Sequence, residues 1–260
     1  MGNNNGESQR LISRIGEEKY NNDGCLMKLV KYNNANNIVV EFQDENRLII
    51  HGAYKEFKNG SIKNPYFRGI ANVACVGKTS TRINGIPKSS YNLWTNMIKR
   101  CYDTKAQEKQ PTYIGCSVCE EWLIFENFDN WYNENYYELK NEVMNLDKDI
   151  LVKGNRIYSP NTCVFVPQSI NKLFLKRDST RGKYPMGVSF HKRDNVYEAH
   201  CSIGTSVSKY LGRYNNEIDA FYSYKKFKES RIKEIADNYK DKIPQNLYKA
   251  MYNYVIDIND

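Results

Sequence analysis

Strand-like runs in this chain are short, and a turn residue closes each one. MKLVKY, NIVVEF and RLIIH are β-branched segments of five or six residues. They are separated by Asn33-Asn34-Ala35-Asn36-Asn37 and by an acidic break, and asparagine tolerates the left-handed conformations that tight turns need. Pieces this short and this close in sequence can pair only locally, so any sheet must be small and antiparallel. Between them lie stretches with helical spacing. In SYNLWTNMIKRCY the residues Leu93, Trp94, Met97, Ile98 and Cys101 fall on one face. EEWLIFENFDNWYNENY gives Trp122, Phe125, Phe128, Trp131 and Tyr132 in the same way, and this aromatic stripe is expected to be core. Strand groups and helices follow one another without regular βα alternation, which predicts an α+β chain.

Six segments are expected. Residues 1–16 are polar and flexible. Residues 17–65 form a small β-barrel-like module or curled sheet, and 66–90 read as a linker rich in Gly, Ser and Thr. Residues 91–180 make a central domain. Residues 181–240 give three strands (GVSFHK, VYEAHCSI, SKYLGRY) and a long helix capped by Asn215 or Asn216. Residues 241–260 add a helix starting at Pro244 and an acidic tail. VGKTS at 76–80 looks like the end of a phosphate-binding loop, but position 72 is Asn72 where that loop needs glycine.

A net charge of +8 makes a polyanionic partner worth testing. From Lys172 to Arg213 the chain carries nine Lys and Arg against three acids, Asp178, Asp194 and Glu198. No stretch of eighteen apolar residues is present, so no membrane span is expected. The seven cysteines follow no export signal, which points to reduced thiols in a cytoplasm, bacterial or that of a phage's host. Cys116 and Cys119, with Cys101 and Cys163, could supply four zinc ligands, although only one close pair is present and buried free thiols are the expectation.

Two resemblances sharpen this. Gly187-Val188, Tyr197-x-Ala199, Tyr210-Leu211-Gly212-x-Tyr214 and the helix with Ala220 and Tyr224 resemble the AP2-type DNA-binding domain over Tyr184–Tyr239. That resemblance implies a three-stranded sheet lying in the major groove of double-stranded DNA. It carries family contact positions onto Ser189, His191, His200, Ser202, Ser208 and Tyr210. Lys176, Arg177, Arg181, Lys192, Arg193, Lys209 and Arg213 would add phosphate contacts.

The other set is Trp94-x-x-Met97-x-x-Arg100-Cys101-Tyr102, Cys119-Glu120-Glu121-Trp122, Leu146-Asp147-Lys148, Tyr158-Ser159-Pro160-x-x-Cys163 and Gln168-x-x-Asn171. Together these resemble a phage homing-endonuclease-like group of HNH proteins. The resemblance implies a ββα-metal fold, a hairpin and a helix gripping one Mg²⁺ or Mn²⁺, that nicks or cleaves DNA. Asp147 and Asn171 would be the metal ligands, with Lys148 and Asp149 completing the catalytic set. The family's general-base histidine is missing: the chain has only His51, His191 and His200, and Lys148 stands beside Asp147. Lysine titrates near pH 10.4, so it is a poor base at neutral pH. The family's central asparagine falls at Thr162, with Asn155 and Asn161 nearby. Two other functions therefore stay open: a DNA-binding regulator without catalysis, and a protein-binding module, such as a phage counter-defence factor, acting through the N-terminal β module.

Overall fold

The computed structural model describes residues 14–175, 183–204 and 207–260. It is a mixed α+β structure with several small sheets and no closed barrel. The chain divides into two compact units, Met1–Asn133 and Glu134–Asp260. Among the described residues no helix is long and apolar enough to cross a membrane.

The first unit opens with an antiparallel meander of β1 (Glu18–Tyr20), β2 (Leu26–Asn34), β3 (Asn37–Phe42) and β4 (Ile49–Gly52), in that order. Met27 and Leu29 of β2 alternate inward with Ile38, Val40 and Phe42 of β3. The expected barrel is an open sheet. β1 and β4 are only three and four residues long, and each pairs on one side alone. Helix α1 (Tyr54–Asn59) covers the apolar face with Phe57. Gly60 ends this helix at φ +68°, a left-handed position that suits glycine. Arg14 to Gly16, expected to be flexible, are held: the Gly16 N–H donates to the Leu29 carbonyl, and the Arg14 guanidinium sits over the Tyr32 and Tyr54 rings.

The stretch expected to be a linker contains a hairpin, β5 (Arg82–Ile83) and β6 (Ile86–Pro87). Asn84 and Gly85 both have positive φ, the two-residue turn that matches strand twist. Helix α2 (Ser89–Tyr102) buries Trp94, Met97, Ile98 and Cys101, the predicted stripe. The short helix α3 (Thr104–Lys109) is capped by Asp103, and β7 (Ser117–Val118) follows. Trp122 lies on a 3₁₀ turn, and α4 begins only at Phe125 (Phe125–Asn135). The Trp94 indole N–H donates to the Trp122 carbonyl at 2.6 Å, tying that turn to α2. Asp129, buried on α4, accepts from Ser90 and from the Lys88 ammonium, both at 2.6 Å.

In the second unit β8 (Met144–Asp147) and β10 (Val164–Pro167) pair antiparallel, with β9 (Ile157–Tyr158) between them in sequence. Helix α5 (Gln168–Phe174) starts directly after Pro167 and packs on both paired strands. A three-stranded antiparallel sheet follows: β11 (Val188–His191), β12 (Val196–Gly204) and β13 (Val207–Tyr214). Helix α6 (Glu217–Tyr239) is N-capped by the Asn216 side chain, which accepts from the Asp219 N–H at 2.9 Å. Its first half buries Phe221 and Tyr224 with Cys201 of the sheet. Its second half buries Ile232 and Ala236 with Val164, Val166 and Ile170 of the strand-and-helix motif, and with Leu247 and Met251 of α7 (Gln245–Tyr252). The acidic tail is docked: the Ile256 N–H donates to Glu229 at 2.8 Å, and Ile256 is buried.

Gly187 marks the tightest approach in this unit. Its φ is +78°, and a Cβ there would lie 2.1 Å from the Tyr224 ring. Gly187→Ala is therefore expected to destabilise the second unit by about 2–4 kcal/mol, from ring displacement plus left-handed strain. Gly154, with φ +78° but no neighbour within 4 Å, serves as the control and should lose only about 1 kcal/mol on the same substitution. Urea unfolding of both variants measures this; equal losses would contradict the packing argument.

Candidate metal and nucleic-acid sites

Asp147 is the last residue of β8, opposite Val164 of β10. Its carboxylate Oδ1 accepts the backbone N–H of Asp149 at 2.9 Å and of Ile150 at 2.8 Å, so the side chain turns the chain as it leaves the strand. The strand ends there, so Asp149 reaches Asp147 through this turn. Burial, reinforced by the Asp149 charge, pushes the Asp147 carboxyl up to about 6. The two backbone N–H bonds pull the other way and do not compensate. Oδ2 is not used by the turn.

The loop from β8 to β9 is closed by Asn155. Its amide nitrogen donates to the carbonyls of Lys148 at 2.6 Å and Ile157 at 2.7 Å. Thr162 adds a hydroxyl bond to the same Ile157 carbonyl at 2.8 Å. Thr162, where the family's central asparagine falls, thus makes one bond to this loop and Asn155 makes two. The Lys148 ammonium is 3.3 Å from Asp149 and lies over the Tyr158 ring. Asn171 lies half-buried on α5, and its amide makes no hydrogen bond among the described residues. Asn145, two residues before Asp147 and so on the same side of β8, was not picked out from sequence. Its amide nitrogen is buried without a partner among the described residues.

Asp147, the exposed Asp149 and Asn171 each carry oxygen donors of the kind a hard divalent cation takes. Magnesium is commonly held by one or two carboxylates, with water and substrate phosphate filling the remaining positions. Among the described residues no three His, Cys, Asp or Glu side chains form a metal-holding group. Cys101, Cys116, Cys119 and Cys163 form no disulfide, and among the described residues they belong to no group of three His, Cys, Asp or Glu that could hold a metal. Burial raises the Cys119 thiol above its ordinary range, which keeps it protonated and a weak ligand.

The β11–β13 sheet has one face on α6 and one open. Val188, Ala199, Cys201 and Leu211 pack toward the helix. Strand pairing sets Ser189 beside Glu198, Glu198 beside Arg213, His200 beside Tyr210 and Ser202 beside Ser208 on the other face. The family contact positions are thus collected on one side, together with His191. Lys209 is the exception: it pairs with Cys201, and its ammonium lies 4.8 Å from the Phe227 ring centre on the helix side. Lys192 and Arg193 are exposed in the β11–β12 turn. Lys176, Arg177 and Arg181 lie outside the described residues.

The open face carries an ion-pair chain that composition did not reveal. Arg213 donates to Asp194 at 2.9 Å and to Glu198 at 3.0 Å, and His200 approaches Glu198 at 3.5 Å. His191 lies 3.4 Å from Asp194. Desolvation works upward on the Glu198 carboxyl, but bonds from Arg213 and His200 outweigh it and hold it below its ordinary value. Arg213 is therefore shared between two acids.

No protein-family model, curated protein or solved structure matches this chain.

Asp147 makes a pH prediction. Below about pH 4 its carboxyl is neutral folded and unfolded, and its stabilising contribution is fully present. As pH rises through about 6 the folded protein must bury a charge that the unfolded chain solvates, and that contribution is lost. Asparagine keeps the Oδ1 acceptor without the charge. In EDTA, Asp147→Asn is expected to be more stable than wild type by about 1–3 kcal/mol at pH 8 and indistinguishable from it at pH 4. Chemical denaturation at both pH values measures it; a difference that does not change with pH would contradict the assignment.

Proposed function

We propose that this chain binds duplex DNA and cuts it with a divalent ion held at the end of β8. The observation that carries this is the Asp147 carboxyl, charged at neutral pH against its own burial and beside a second carboxylate. Two like charges that close are eased by a cation. Mg²⁺ or Mn²⁺ would be held by Asp147 and Asn171 with Asp149 adjacent, and a bound ion supplies charge stabilisation to a leaving oxygen.

The chain's own groups have separable tasks. Lys148, tethered to Asp149, supplies a positive charge at the same turn. Asn155 keeps the loop closed, so Asp147 and Lys148 hold their places without substrate. The open face of the three-stranded sheet reads the duplex through Ser189, His191, His200, Ser202, Ser208 and Tyr210, with Lys192 and Arg193 on phosphates.

One observation favours the second function, a DNA-binding regulator. The histidines lie elsewhere, His51 on β4 and His191 and His200 on the three-stranded sheet, so none sits in the β8–β10 segment to activate water. Incubation with supercoiled plasmid separates the two. Wild type with Mg²⁺ or Mn²⁺ is expected to yield nicked circles that EDTA prevents. Asp147→Asn should abolish nicking while duplex affinity stays within a few-fold. Tight binding with no nicking in either ion would discard catalysis and leave the regulator.

A further inference from the structure

We infer that the β5–β6 hairpin of the first unit is an apolar wedge that enters the minor groove of duplex DNA and bends it. This rests on the DNA-binding function proposed above and adds a contact that the three-stranded sheet does not supply. Ile83 and Ile86 are direct cross-strand partners flanking the Asn84-Gly85 turn, so both side chains leave the same face of the hairpin. They are 61% and 70% exposed, at the outermost point of a two-residue turn. The opposite pair, Arg82 and Pro87, stiffens the tip: the Arg82 guanidinium donates to the Gly85 carbonyl at 2.6 Å, and Pro87 fixes its own φ.

The stem is anchored to the unit's core. The Lys88 N–H donates to the Thr81 carbonyl at 2.9 Å, continuing the ladder, and the Lys88 ammonium is clamped to buried Asp129. The hairpin is therefore a short, rigid projection with isoleucine at its end.

Charge and size select the occupant. Residues 76–90 contain no acid; with Lys88 paired to Asp129, Lys78 and Arg82 are the basic residues left beside the tip, and a polyanion is the matching partner. Two isoleucines offer far less than the roughly 800 Å² that each side of a stable protein interface buries. A DNA wedge needs only one or two apolar side chains inserted between base steps, flanked by basic residues. The best sites would be flexible pyrimidine–purine steps, which unstack at least cost.

The test is energy transfer between dyes on the two ends of a duplex containing a central TA step, using the full-length chain. Wild type is expected to bend it by about 20–90°. Ile83→Ser/Ile86→Ser should return transfer to the value of free DNA and weaken binding about tenfold, with thermal stability unchanged because both side chains are exposed. Ile49→Ser, at another exposed isoleucine on β4, should leave the bend intact. Wild type that binds without bending, or a bend that survives the double substitution, would overturn the wedge and leave the proposed function standing. No binding at all would overturn both.

Discussion

The apolar stripe of α6 is the constraint on which the second unit depends. One end of the helix closes the three-stranded sheet through Phe221 and Tyr224, and the other closes the β8–β10–α5 motif through Ile232 and Ala236. Neither small sheet could stand alone, since a two-stranded ladder or three short strands bury too little without a helix against them. Sharing one helix gives both a core. It also spaces the two contact regions, Phe221–Tyr224 and Ile232–Ala236, about 17 Å apart between their midpoints at 1.5 Å per residue. The open face of the three-stranded sheet and the Asp147 turn thus belong to two small sheets that share this helix.

Both polar regions are held short of their lowest energy. Asp147 keeps a charge in a place that favours the neutral acid. Arg213 is engaged by Asp194 and Glu198 when the sheet faces water. Under the proposed function, a cation at the first and a phosphate at the second would complete or replace these contacts. Such surface pairs contribute little to stability, typically up to about 1 kcal/mol, so exchanging them for phosphate is cheap.

Much of the fold was legible because periodicity is a local property. Met27 and Leu29, Trp94 to Cys101, and the Asn216-capped helix all appeared where alternation or helical spacing placed them. Misses came where a local signal was weak or pairing was decided at a distance. Nothing in β1 and β4 says that they are too short to close a barrel until their partners are known. The β5–β6 hairpin was readable from Ile83-Asn84-Gly85-Ile86, but the Ser and Thr residues around it read as linker. At the site, Asp147, Lys148 and Asn171 were reached through resemblance. The partnerless Asn145, the loop-closing role of Asn155 and the neutralisation of Arg213 are consequences of packing, and no spacing rule announces them. The helix-side placement of Lys209 follows from a bulge between Ala199 and His200 that shifts strand register.

The central claim is that duplex DNA is the partner, and the salt dependence of binding tests it most directly. Fluorescence anisotropy of the full chain on a labelled duplex, between 50 and 300 mM salt (roughly the range where counterion release dominates), gives log Kd against log salt. Five or more phosphate contacts would give a linear fall in affinity with a slope of about −4 or steeper. A flat response, or no binding at the lowest salt, would contradict the claim.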